Sequence, residues 1–98
     1  MEIYRYGRTQ TIDFTTHSVA LASNFGAQTR AIRVMANSPA CFKIGTGAQT
    51  ATSNDPAIVP TGGEQLILVT PGQAMAAIRA SGGTLTSADG RMWVTELV

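Results

Sequence analysis

No stretch of this chain stays apolar for long. Runs such as "LILV" (Leu66–Val69) and "AMAAI" (Ala74–Ile78) are cut by Gly, Pro, Asn, Asp or Ser. The breaks recur about every ten residues, which is the signature of an all-β chain. The pattern predicts strands at Gln10–Thr15, Ser18–Leu21, Thr29–Ala36, Cys41–Gly45, Ala57–Val59, Gln65–Thr70, Ala74–Ala80 and Met92–Leu97. Eight short strands fit a small antiparallel β-sandwich, jelly-roll-like in arrangement. The 98 residues suit one domain. Residues 10–98 are read as that domain, and residues 1–9 as a tail that is either flexible or docked on a partner.

The alternation is cleanest in "TIDFT", where Ile12 and Phe14 point one way and Thr11, Asp13 and Thr15 the other. Two windows have helical character on paper. "AQTRAIRVMA" is short, uncapped and bounded by Gly26 and by Asn37-Ser38-Pro39, and reads as a strand. "GQAMAAIRA" is alanine-rich, but it follows Pro71-Gly72 directly, which favours a strand leaving a turn. "KIGTGAQTATSNDP" carries turn residues and no apolar period, so it reads as a polar loop. In "VTPGQ", Pro71 presets φ and Gly72 accepts the positive φ of a type II turn. It is expected to close a central hairpin. Asp89-Gly90 predicts a second hairpin, between Thr84–Thr86 and Met92–Thr95.

Several strands are apolar on both faces. Leu66 and Leu68 oppose Ile67 and Val69; Ala74, Ala76 and Ile78 oppose Met75, Ala77 and Arg79. One face can line the core, and the other needs cover from an adjacent loop or from another subunit. Charged residues are only 13% of the chain and net charge is +1, so little like-charge repulsion opposes subunit packing. No Lys/Arg cluster gives a nucleic-acid footprint. The N-terminus lacks the apolar core of a signal peptide, and no run approaches the ~18 apolar residues of a membrane helix. A soluble protein made in the cytoplasm is expected, with neither nucleic acid nor membrane as partner.

Residues that carry chemistry are sparse. Cys41 is the sole cysteine, so no intrachain disulfide forms, and it reads as a small buried hydrophobe. His17 is the sole histidine, so the tetrahedral Cys/His metal pattern is absent. Nothing marks Cys41 and His17 as an activated nucleophilic pair. The carboxylates Glu2, Asp13, Asp55, Glu64, Asp89 and Glu96 are scattered. Thr50 stands where a third glycine would complete a dinucleotide fingerprint after Gly45 and Gly47. No catalytic residue, metal or cofactor is assigned. The residues suited to a partner or oligomer interface are Tyr4 and Tyr6 in the tail, Arg33, Met75, Arg79 and Trp93. Arginine and large apolar or aromatic side chains favour interface cores. Trp93 reads as packed in the core or an interface; exposed, it could instead serve as a stacking platform for a sugar.

The order "LILVTPGQAMAAIRASGGTL…WVTELV" resembles the C-terminal half of small virion proteins of tailed bacteriophages. There an apolar strand, "VTPGQ", a second apolar strand and a terminal "VTEL" follow one another. The earlier "TTHSVALAS…TRAIRVMANSPACFKIGTGAQTATSNDPAIVP" is similar as well. The resemblance runs from about Thr11 to Val98 and leaves out the N-terminal decapeptide. "TSADGRM" stands as an insertion before the last strand. The resemblance implies a β-sandwich that acts as a structural part of the particle: a capsid cement or decoration protein, or a minor head–tail component. It would bind the major capsid protein or other virion proteins, and itself as a homo-oligomer, with a trimer suited to local threefold sites. The alternative is a glycan- or host-surface-binding module of a tail or head fibre.

Overall fold

The computed structural model describes residues 5–59, 63–80 and 88–98. Its strands, in chain order, are β1 (Tyr6–Phe14), β2 (Val19–Ala20), β3 (Ala31–Ala36), β4 (Ala40–Gly45), β5 (Ala57–Ile58), β6 (Gln65–Leu68), β7 (Ala74–Arg79) and β8 (Gly90–Leu97). They form two antiparallel four-stranded sheets, ordered β1-β8-β3-β6 and β2-β7-β4-β5. The pairs β1:β8, β2:β7, β3:β6 and β4:β5 are those of one long folded ribbon. Rolling that ribbon up adds β3:β8 and β4:β7, which gives the strand order of a jelly roll. The chain is thus an all-β sandwich, and both alanine-containing windows are strands.

The core follows from alternation. Ile12, Phe14, Ile32, Val34, Met92 and Val94 of the first sheet meet Phe42, Met75, Ala77 and Ile58 of the second. Each large side chain fully buried this way contributes about 1.5–3 kcal/mol. The outer face of the second sheet is covered in part from within the chain. The loop between β4 and β5 buries Ala51, whose amide donates to Ser18 Oγ at 2.8 Å. The Cys41 thiol donates to the Ser53 carbonyl at 3.8 Å. Both faces of β7 are therefore buried through most of its length: Met75 lies in the core, and Ala76 is as fully enclosed.

Three expectations are corrected. The first strand begins at Tyr6, so Tyr6–Thr9 belong to the sheet and not to a tail. "VTPGQ" is a turn of the expected kind: Gly72 has φ 83°, and the Gln73 amide donates to the Thr70 carbonyl at 3.2 Å. It does not close a hairpin, however. It carries the chain from β6, at the edge of the first sheet, to β7 in the second. Phe25 receives it there, with Gly72 N–H donating to its carbonyl and its own N–H donating to Gln73.

Gly90 is the third. It is not a hairpin tip but the first residue of β8, opposite Phe14. β8 has β1 and β3 on its two sides, and Thr84–Thr86 lie outside the described residues. A Cβ on Gly90 would sit 2.5 Å from Asn37 Oδ1 and 2.9 Å from Phe14 Cζ. The Asn37 carbonyl is held there by the Arg91 amide at 2.7 Å. Gly90→Ala is expected to cost about 1–3 kcal/mol in chemical denaturation through this overpacking. An unchanged midpoint would mean that the Asn37 loop yields freely.

Candidate functional site

Antiparallel partners directly opposite each other share a sheet face, so the pairings define the outer face of the first sheet row by row. One row runs Tyr6, Leu97, Ala31, Leu68 across β1, β8, β3 and β6. The next runs Thr9, Thr95, Arg33, Leu66, and the third runs Thr11, Trp93, Met35. A bulge in β1 between Tyr6 and Thr9 shifts the register. It puts Tyr6 on the same face as Thr9 and Thr11, where strict alternation would have sent it inward with Ile12.

This face holds most of the exposed large apolar side chains among the described residues. Leu68 is 84% exposed, Tyr6 70%, Leu66 68%, Met35 41% and Trp93 37%. Exposed apolar side chains thus gather on one face of a small domain, interleaved with Thr9, Thr95 and Arg33. Its profile is uneven. Leu66 and Leu68 stand at the β6 edge, while Thr9, Arg33, Met35, Trp93 and Thr95 line a shallow recess of about 330 Å³.

The polar groups of the face are already engaged with one another. Arg33 donates to Tyr6 Oη at 2.9 Å, pairs with Glu64 at 2.6 Å, and lies 5.1 Å from the centre of the Tyr6 ring. The Thr9 and Thr95 hydroxyls bond each other at 2.9 Å. At the end of the face Arg91 donates to both Asp13 oxygens, at 2.6 and 3.3 Å. That hydrogen bond holds the Asp13 carboxyl below its ordinary value and raises the guanidinium.

The residues named from sequence are dispersed. Tyr6, Arg33 and Trp93 meet on this face. Met75 is fully buried between the sheets and offers nothing to a partner, because the loop covering β7 left its other side chains to fill the core. Arg79 lies away from the face, paired with Asp89 at 3.1 Å and bordering a recess of about 290 Å³ with Thr16, Ala51 and Ile78. Tyr4 lies outside the described residues. Leu66, Leu68 and Met35 were not singled out in the sequence, although the two-sided apolar pattern of "LILV" already required cover for the two leucines.

A buried polar cluster lies on the inner side of the first sheet. Glu96 points inward from β8, almost wholly buried, and accepts from the buried Thr29 hydroxyl at 2.5 Å, the Gly26 amide at 2.7 Å and Arg8 Nε at 2.8 Å. Burial pushes its carboxyl up, but the hydrogen bonds from Thr29, Gly26 and Arg8 together outweigh this and hold it below the ordinary range. With both oxygens accepting, this carboxylate ties the segment before β3 to β1 and β8. It is an anchor and not a free acid.

The remaining candidates do not converge. His17 is exposed, and the Cys41 thiol is buried against Ser53 with its pKa raised by that burial and by Asp55. Among the described residues, no three of His, Cys, Asp and Glu come together as a metal site, and no helix is long and apolar enough to cross a membrane. Compared with protein-family models, with curated proteins and with solved structures, the chain matches none.

Proposed function

We propose that this chain is a non-enzymatic structural protein of a tailed-bacteriophage virion, made in the host bacterial cytoplasm, that binds the major capsid protein and stabilises the head as a cement or decoration subunit. The observation that carries the reading is the apolar, charge-neutralised outer face of the first sheet, built from Tyr6, Met35, Leu66, Leu68 and Trp93. A surface of this kind suits assembly by complementarity rather than turnover of a substrate. The sequence order around "VTPGQ" and "VTEL" supports the phage setting. Jelly rolls recur in viral capsid proteins, which is a likeness of fold alone and is shared with lectins and cupins.

A protein that binds only the assembled shell stabilises it by mass action. Tailed-phage capsids assembled without the protein are therefore expected to bind it and then to disrupt at a higher temperature in a scanning melt. Absence of binding to any such shell would overturn the reading. A second reading draws on the Trp93 recess. The indole edge, with Thr9, Thr95 and Arg33 around it, has the mix of ring and polar groups that binds sugars. Glycan-array binding lost in Trp93→Ala would favour a glycan-binding module over a cement protein.

A further inference from the structure

The outer face of the first sheet is apolar and exposed, and its pattern is complementary to itself. The strand order places Tyr6 on β1 at one end of a row and Leu68 on β6 at the other. In the row with the aromatic residue on β8, Trp93 lies beside Met35 on β3. A two-fold axis running parallel to the strands reverses their order and preserves the rows. It sets β6 of one copy over β1 of the other, and β3 over β8. Leu68 then meets the Tyr6 ring, Leu66 meets the Thr9 side of the recess, and Met35 meets Trp93. Each contact occurs twice, as isologous packing requires. Sulfur against an indole is a favourable pairing, and Leu66 faces the Thr9 rim of a recess of about 330 Å³.

From this geometry we infer that the outer face of the first sheet packs against the same face of a second copy of this chain, two-fold related, as a reversible face-to-face dimer. Charge favours a copy over a charged partner. Arg33 carries its own Glu64, and Arg91 its own Asp13, so two such faces approach without net repulsion and offer no uncompensated charge to an acidic or basic surface. The hydroxyls of Thr9 and Thr95 share one hydrogen bond, which burial would leave in place. Strand and residue spacings give a footprint of roughly 400 Å² per copy. Both copies together bury about 800 Å², below the ~1,200 Å² of standard specific interfaces, so the dimer is a weak, transient one that forms only at high protein concentration. The face is the one proposed for the capsid contact, so dimerisation and shell binding are expected to compete for it.

Sedimentation of the full chain over a concentration series tests it. The wild type is expected to pass from monomer to dimer, with the emission of its single tryptophan shifting to the blue as Trp93 is covered. The double substitution Leu66→Asp, Leu68→Asp lies at exposed positions and is expected to leave the circular dichroism unchanged while weakening dimerisation at least ~10-fold, as loss of apolar contact at an interface core does. A Tyr6→Cys chain mixed with a Leu68→Cys chain is expected to cross-link across the pair. The reagent is a short bis-maleimide matched to the ~10 Å spacing of packed sheets, and the buried Cys41 stays unreacted. A wild type that remains monomeric throughout, one that forms trimers, or a dimer that survives the two aspartates would each overturn the inference. A chain that stays monomeric at every concentration yet binds and stabilises capsids would overturn the pairing while leaving the virion reading intact.

Discussion

Glu96→Ala is expected to lower the unfolding free energy by about 2–4 kcal/mol, because it takes the acceptor from the buried Thr29 hydroxyl and the part-buried Gly26 amide. The Thr29 hydroxyl and the Gly26 amide both aim at this carboxylate. Without it they are donors with no acceptor, each costing about 1–3 kcal/mol. Arg8 is half in solvent, so its lost ion pair adds little. Glu96→Gln keeps an acceptor for Thr29 and Gly26 but turns an amide toward Arg8, and a smaller loss is expected. The two variants also differ in their response to acid. The folded carboxyl sits below its ordinary value of 4.5, so its contribution is present above that value. It is lost as pH falls from there through the folded pKa. The wild type should lose stability over that acid window, while Glu96→Gln loses this part of the slope. Urea midpoints measured from neutral pH down to the acid limit check both points. Parallel acid limbs for the two proteins would show that Glu96 is not the group responsible.

Phe14→Ala is expected to cost about 3–5 kcal/mol, as for other buried aromatic truncations. Phe14 is fully buried at the end of β1, where its ring occupies space that a side chain at Gly90, across the pair, would need. Collapse around the cavity is limited, since Asn37 is tied to the Arg91 amide and its own N–H to the Arg91 carbonyl. A domain of this size has a total stability of about 5–15 kcal/mol, so either change removes a large share of it. Thermal and urea unfolding followed by circular dichroism give the measurement. A loss under about 1 kcal/mol would mean that the site closes up. These two core changes act on the fold, whereas the paired aspartates at Leu66 and Leu68 act on the face. The contrast separates a protein that fails to assemble from one that fails to fold.

Strand identity was legible in the chain even where helix propensity pointed elsewhere. Ala31–Ala36 and Ala74–Arg79 are strands because turn residues bound them too closely for a helix to bury a stripe. Four features were not legible. The bulge near Tyr6 breaks the period of two that sequence reading relies on. Gly90 looked like a turn residue, yet it is glycine because Phe14 and Asn37 approach its backbone. Met75 and Trp93 both looked like interface candidates, and only the pairing of the strands separates the buried one from the exposed one. Glu96 alternates with Trp93 and Thr95 like any polar strand residue, and nothing local announces that Thr29 and Gly26, about seventy residues away along the chain, turn it into the buried anchor.

By itself the sequence determined the class of fold: eight short strands, two-sided apolar runs, and a chain with too few charges to need a polar coat on every face. Those are consequences of local period and punctuation, which each segment carries alone. Which apolar face is covered was decided only in three dimensions. Cys41 on β4 is buried under the loop that carries Ala51 and Ser53, whereas Leu66 and Leu68 on β6 stand open because the Pro71-Gly72 turn sends the next strand to the other sheet. Sequence order cannot state that outcome, because cover depends on which distant segments the rolled ribbon brings alongside.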